Sequence, residues 1–364
     1  MQEKPISIYV HIPFCEKKCA YCAFNSFCAS EKQKEECLDF LCKEIASRKV
    51  ARPVATIYVG GGTPSVLTEE QIERVANAIY DNFDVYEDAE FTIEANPNSI
   101  TENLLKKWKS LRVNRLSIGV QTLNERSLKQ IGRLHDRKTA LEKVKLARKF
   151  FANVSCDLII GLEGQTEKGL CRDAKTLLEL GVKHISCYLL EVYENTPLAR
   201  MIANGKFLPL DEEQTISAFN KLATFLQDEG MTRYEISNFA FDGWESRHNL
   251  NYWARGEYLG FGLSAHSFLN GKRFQNAETL EKYSNGEVVE ENLSAKEEDE
   301  ERVMLGLRCN LGVDLSTIQT YDITQNAYFD EYLSQGILQR KGDRLFLNPL
   351  FWHVSNTIIS NLLP

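Results

Sequence analysis

Ile6-Ser-Ile-Tyr9-Val-His11-Ile-Pro13-Phe-Cys15-Glu-Lys-Lys-Cys19-Ala-Tyr-Cys22 joins a strand-like run to a loop of three cysteines. Ile6 to Pro13 is apolar and of strand length. The C-x3-C-x2-C spacing then sets three thiolates on one tight loop at the strand's C-terminal end. Thiolates are the soft ligands that iron–sulfur clusters need, and ferredoxin-type spacings supply four of them per cluster. Three leave one iron of a 4Fe–4S cube open to a small molecule, so the loop points to a cluster that does chemistry rather than one that only stores an electron. A structural zinc site would want a fourth Cys or His ligand, and His11 is near enough in sequence to be considered. A disulfide scaffold is not expected in a chain of 364 residues whose N-terminus lacks a signal-peptide pattern.

Outward from that loop, the first two-thirds of the chain alternates two kinds of segment. Ile6–Pro13, Thr56–Gly60, Glu90–Asn96, Arg115–Thr122, Val154–Gly161 and His184–Val192 are β-branched and aromatic runs. Amphipathic stretches such as Glu69–Asn82 and Thr166–Leu180 lie between them, the first opened by the capping box Thr68-x-x-Gln71. Successive βα units predict an α/β fold with a parallel sheet and helices outside. A barrel or partial barrel fits better than a doubly wound sheet, because the chemically suggestive residues fall at strand C-terminal ends. Gly60-Gly61-Gly62-Thr63-Pro64 follows the second strand and lets the backbone approach a ligand closely. Glu94 ends the third strand, Gln121 the fourth, Arg133 follows soon after, and Asp157 sits on the fifth. One polar group per strand end describes the rim of a single pocket.

After about Asp211 the pattern changes. Asp211-x-x-Gln214 opens a helix running towards Asp228, and an aromatic, Gly-rich region spans Tyr234 to Phe274. The acidic stretch Glu287–Glu301 reads as a connection into a helix that starts with the capping box Ser294-x-x-Glu297. Thr317 to Pro364 reads helix, short hairpin at Gly342-Asp343, then helix, which resembles a winged-helix-like module in a C-terminal α+β region. The expected division is 1–235 for the barrel, 236–292 for a connecting region and 293–364 for the C-terminal domain.

Apolar content of 43% and charged content of 26% are ordinary for a soluble globular protein. No apolar run reaches membrane-spanning length, so a cytoplasmic location with no transmembrane segment is expected. Ten cysteines suit a reducing compartment. A net charge of −8 weighs against a nucleic-acid partner, and with it against a radical enzyme acting on RNA.

These motifs, taken in order, resemble the radical SAM proteins of the HemN/HemW group, which comprises oxygen-independent coproporphyrinogen III oxidases and their HemW relatives, the haem chaperones. The resemblance implies a partial (β/α)6 barrel holding a 4Fe–4S cluster on Cys15, Cys19 and Cys22. It implies S-adenosylmethionine contacts at Tyr9, Phe24, Gly61, Gly62, Thr63, Glu94, Gln121, Arg133 and Asp157. A zwitterionic sulfonium ligand wants acidic groups for its ammonium and ribose hydroxyls, and a basic or amide group for its carboxylate. In the family, reductive cleavage of that ligand yields a 5′-deoxyadenosyl radical. Two features resemble the chaperone branch. Phe24 stands where the oxidase pattern has a further cysteine, in Cys22-Ala23-Phe24-Asn25-Ser26, with Ala23 where the HemW form usually has aspartate. The oxidase also has a long extension before its first strand, whereas eight residues precede Tyr9 here. His248-Asn-Leu-Asn-Tyr252-Trp253 matches the H-N-x-x-Y-W signature of HemW, and an imidazole beside aromatics suits haem. His248 and, downstream, His266 are the candidate haem ligands, with a histidine packed over an aromatic cluster as the plainer reading. The implied partners are haem, a haem-acceptor protein and an electron donor, and a homodimer stays open. Coproporphyrinogen III dehydrogenation is the alternative activity.

Overall fold

The computed structural model describes residues 4–364, so Met1–Glu3, the start of the expected first domain, lie outside the described residues. Six parallel strands run in chain order through the centre: β1 (Ile6–Ile12), β2 (Val54–Gly61), β3 (Val85–Ala95), β4 (Arg115–Gln121), β5 (Asn153–Ile160) and β6 (His184–Leu189). Around them lie α1 (Glu31–Ser47), α2 (Glu69–Tyr80), α3 (Glu102–Ser110), α4 (Glu125–Gln130), α5 (Arg137–Phe150) and α6 (Glu167–Glu179). After β6 come α7 (Pro197–Ala203) and α8 (Glu212–Asp228). The barrel does not close. β9 (Tyr258–Phe261) pairs in parallel with the free side of β1, and β8 (Asn238–Ala240) pairs antiparallel with the free side of β6. β7 (Thr232–Arg233) edges β8. α9 (Arg247–Trp253) lies between β8 and β9. Beyond β9 the sheet continues through β10 (His266–Leu269) and β11 (Lys272–Asn276), then α10 (Leu280–Ser284) precedes the edge strand β12 (Val288–Asn292).

The sequence carries the reasons for these elements. In β1 the buried apolar residues are Ile6, Ile8, Val10 and Ile12, and in β2 they include Val54, Ile57 and Val59. These branched side chains pack on a pleated surface covered from both directions. Each long helix starts on a polar cap. Thr68 caps α2 and Asp211 caps α8, each in a reciprocal box with Gln71 or Gln214. Trp108 and Phe151 are fully buried where α3 and α5 meet the sheet.

A second core, including Val303, Leu307, Phe329, Leu345, Trp352 and Ile359, belongs to the C-terminal region. It holds α11 (Ala295–Gly306), β13 (Val313–Asp314), α12 (Phe329–Ser334), β14 (Leu338–Lys341), β15 (Arg344–Leu347) and α13 (Ser355–Leu362). β13, β15 and β14 make a three-stranded sheet with the hairpin at Gly342-Asp343. Backbone bonds tie this region to the barrel, from Ile236 N to Arg308 O at 3.1 Å and from Asn310 N to Tyr234 O at 2.8 Å.

Two sequence expectations need correction. Val288–Asn292 is not a connection but β12, paired antiparallel with β11. All five of its residues are exposed, so no buried alternation marks it in the sequence. The sixth strand ends at Leu189 rather than Val192, its last pairing with the fifth being Leu189 against Ile160 at that strand's own end. Among the described residues no helix is long and apolar enough to cross a membrane.

Candidate functional site

The C-terminal ends of the parallel strands open into one cavity of about 770 Å³. Cys15, Cys19, Cys22 and Phe24 line it from the loop after β1. Gly61, Gly62 and Thr63 line it after β2, and Glu94, Gln121, Arg133 and Asp157 complete the barrel's share of the wall. A parallel sheet brings successive strand ends to one face, which is why residues more than a hundred positions apart meet here.

The cysteine loop is anchored at several points. Cys15 N bonds Phe27 O at 3.0 Å and Phe27 N bonds Pro13 O at 2.9 Å. Ala20 N bonds Ile131 O at 3.0 Å, and Leu198 N bonds Ala20 O at 2.9 Å. His11 secures the far side of the loop, its Nε2 donating to Asn25 O at 2.9 Å, which leaves Nδ1 to accept from the Tyr9 hydroxyl at 3.0 Å. Polar groups reach the sulfurs. Arg133 Nη1 donates to Cys19 Sγ at 3.4 Å, and Thr63 Oγ1 lies 3.5 Å from Cys15 Sγ. Burial raises the Cys22 thiol, and negative charge on Cys19 and Cys15 would raise it further. Thiolates carried on one short loop therefore raise one another's charging cost and favour a bound cationic metal. Among the described residues no three His, Cys, Asp or Glu groups converge on a single-ion position. A cluster bonds each thiolate through a different iron, so this spread of sulfurs fits a cluster better than one zinc ion.

The glycine turn is required sterically. Gly61 has φ +105°, and a Cβ there would sit 2.6 Å from the His11 ring. At Gly62 a Cβ would meet Phe14 O at 2.7 Å, so the turn lies directly against the start of the cysteine loop. Glu94 accepts from the Tyr58 hydroxyl at 2.8 Å and from Gly61 N at 3.2 Å. Burial pushes its carboxyl up to about 7, against the pull of the Tyr58 bond. Asp157, also raised by burial, accepts from Ser117 Oγ at 3.1 Å. Gln121 takes φ +67°, an uncommon conformation for a residue with a side chain. Arg133 Nη2 donates to Asn96 Oδ1 and Gly119 O, both at 2.5 Å. Burial opposes its charge, but Tyr21 and Cys19 beside it hold the guanidinium up. One wall thus offers buried carboxylates and another a fixed cation, the pairing a zwitterion needs.

Three residues expected at the site lie off the cavity wall. Tyr9 is off the cavity wall, its hydroxyl spent on His11. His248 is only 1% exposed and sits towards the N-terminal end of the barrel. Its ring hydrogen-bonds Thr56 Oγ1 at 2.8 Å and the Tyr252 hydroxyl at 2.9 Å, so neither nitrogen is free. Glu90 accepts from Arg247 N and His248 N, both at 3.0 Å, and so fixes the first turn of α9. The signature helix therefore plugs the barrel floor, where parallel barrels carry stability rather than chemistry. The ring of His248 lies 5.1 Å from that of Tyr58, whose hydroxyl reaches Glu94. His266 is exposed on β10, off the cavity wall. His184 pairs with Ser155 Oγ at 2.7 Å and the Tyr234 hydroxyl at 2.8 Å.

Sequence reasoning missed the rest of the cavity. Tyr188, Leu189 and Tyr193 line its rim and are 44%, 38% and 49% exposed. Arg233, Trp352 and His353 close the side farthest along the chain from the cysteines. No local motif marks these residues, because the wall forms only when the C-terminal region docks on the barrel.

An open parallel barrel with three cysteines at the head of its cavity defines the architecture of a radical SAM protein, and the comparisons agree. The family model of the Radical SAM superfamily matches residues 9–177, and that of the HemN C-terminal domain matches 293–350. The "Heme chaperone HemW" of Lactococcus lactis is 32% identical, aligned over 100% of this chain and 98% of that protein. The Bacillus subtilis protein of the same name is 37% identical over 84% of each. Among solved structures, coproporphyrinogen III oxidase (HemN) from Escherichia coli superposes with a TM-score of 0.84 at 26% identity, covering 99% of this chain and 90% of that one. The chain belongs to the HemW family of radical SAM proteins.

Proposed function

We propose that this chain is a haem-binding protein of the chaperone type, which holds a 4Fe–4S cluster on Cys15, Cys19 and Cys22 and binds S-adenosylmethionine beside it. The observation that carries this reading is the composition of the cavity at the strand C-terminal ends, with three thiols and a wall of buried carboxyls and a fixed cation on the barrel side and an exposed aromatic rim opposite. Such a rim suits a flat, largely apolar ligand, and relatives named as heme chaperones support haem as that ligand. When bound, the cluster and S-adenosylmethionine supply reductive cleavage of a sulfonium C–S bond. The chain's own residues position that ligand. Glu94 and Asp157 face its ammonium and ribose hydroxyls, Arg133 and Gln121 its carboxylate, and the Gly61–Gly62 backbone lies against it. Phe24, 68% exposed on the loop, covers the cavity mouth beside the thiols. Delivery of haem to a respiratory acceptor, an electron donor, and a cytoplasmic setting complete the proposal.

Anaerobic reconstitution tests it. Wild-type protein is expected to take up iron and sulfide in cluster stoichiometry and to bind both S-adenosylmethionine and haem. Cys19→Ser is expected to lose the cluster, and failure of the wild type to acquire one would end the reading. The likeness to coproporphyrinogen III oxidase favours a second reading, radical dehydrogenation of that substrate's propionate side chains. Protoporphyrinogen formation in an anaerobic assay with substrate, reductant and S-adenosylmethionine would establish it.

A further inference from the structure

The wall of the cavity that the C-terminal region contributes has unmet polar atoms. Arg233 Nε, Trp352 Nε1 and His353 Nδ1 are each buried with no hydrogen-bond partner. Buried polar atoms are nearly always paired, because an unpaired one forfeits its bonds to water without replacement. Three on neighbouring side chains of one cavity wall mark a place built to be completed by something else. Trp352 and His353 sit in the short 3-10 turn Pro349–Val354, and Arg233 reaches that turn from β7 by donating to Pro349 O at 3.0 Å. Arg233 is 8% exposed and packed against the rings of Phe219 and Trp352 at 4.6 and 4.9 Å. Its charge has no carboxylate in ion-pair contact among the described residues, only backbone carbonyls.

The chemistry of this wall is specific. His11, His184 and His248 have both ring nitrogens engaged within the protein, and His135, whose Nε2 bonds Val120 O and whose Nδ1 is buried without a partner, lies off the cavity wall. His353 is the one histidine on the cavity wall among the described residues. Imidazole is a good ligand for iron, and a buried arginine with no ion-pair partner, its charge met only through space by the buried carboxyl of Glu235, can seat a carboxylate. Resting on the haem-binding reading above, we propose that His353 is the axial ligand of the bound haem iron and that Arg233 receives one of its propionates. The haem then bridges the barrel and the C-terminal region, and the His-Asn-x-x-Tyr-Trp helix has no contact with the metal.

The test compares porphyrins with and without iron on the full-length, cluster-reconstituted protein. His353→Ala is expected to weaken haem binding by more than the about ten- to hundredfold lost when only a ligand's hydrogen-bond partner is removed. It should leave metal-free protoporphyrin IX affinity within about twofold and should change the haem absorption spectrum. His353→Tyr is expected to give the spectrum of phenolate-ligated ferric haem, a signature that a merely structural residue does not produce. Haem with both propionates esterified should bind the wild type more weakly than haem itself. An unchanged spectrum and affinity in His353→Ala would overturn the assignment while leaving haem binding in place. Equal loss of haem and metal-free porphyrin would also overturn it, making the turn structural. Absence of haem binding by the wild type would remove both the assignment and the reading beneath it.

Discussion

At the level of single residues, the cavity depends on positions where one added carbon is too many. Gly61→Ala would force a side chain onto φ +105° and into the His11 ring at 2.6 Å. The expected cost is about 1–3 kcal/mol, seen as a lower Tm. His11 holds Asn25 O, so the cysteine loop should loosen as well. Reconstituted Gly61→Ala is therefore expected to lose cluster on buffer exchange faster than wild type, and equal retention would contradict this. Glu94 gives a pH dependence. Its carboxyl in the folded protein is raised by burial from 4.5 to about 7. The ligand-free fold thus has this group's full contribution below about pH 4.5 and loses it as pH rises through about 7. A cationic ammonium prefers the ionised carboxylate, so S-adenosylmethionine affinity should rise with pH up to about 7 and then level off, by at most about tenfold per unit. Titration calorimetry across that range should show the slope in wild type and a flat, weaker response in Glu94→Gln. That the three cysteines, the glycine turn and the acidic residues share one cavity was legible in the sequence, because each has a short motif with a steric or ligand reason. Tyr9 and His248 were read from the same kind of pattern, but a motif does not say at which end of a strand its side chain is spent.

At the level of elements, local signals served well where they are self-contained. The capping boxes at Thr68, Asp211 and Ser294 each make both reciprocal hydrogen bonds. Thr68→Ala should cost about 0.5–2 kcal/mol, measured by chemical denaturation, without altering ligand affinity, because α2 packs on the outside of the sheet. A larger loss would mean that α2 also sets the glycine turn. Strands buried on both faces were readable from their branched residues. β12 was not, since an edge strand is held by backbone bonds to β11 and needs no apolar face. Its Glu290 and Glu291 are exposed and charged, which discourages further strands from adding to that edge.

At the level of the whole molecule, two apolar cores share one cavity and several connecting bonds. Glu235 bridges to Cys309, and Arg233 reaches Pro349 O. Calorimetry is therefore expected to show a single unfolding transition for the intact chain, and two separated transitions would show the connection to be weaker than its geometry implies. This level was the least legible in the sequence, because the docking of a distant region leaves no periodicity in either partner. Acid should strike the opposite end of the barrel. Burial holds the His248 imidazole down to about 3 from an ordinary 6.5, so the fold keeps this group's contribution above about pH 6.5 and loses it as pH falls towards 3. The column of His248, Tyr58 and Glu94 also has a consequence for genetics. Lesions in the signature helix would tilt Tyr58 and disturb the carboxylate above it, so such alleles would mimic active-site defects without ever touching a ligand. Complementation screens alone would then put the proposed haem site on the wrong floor of the molecule.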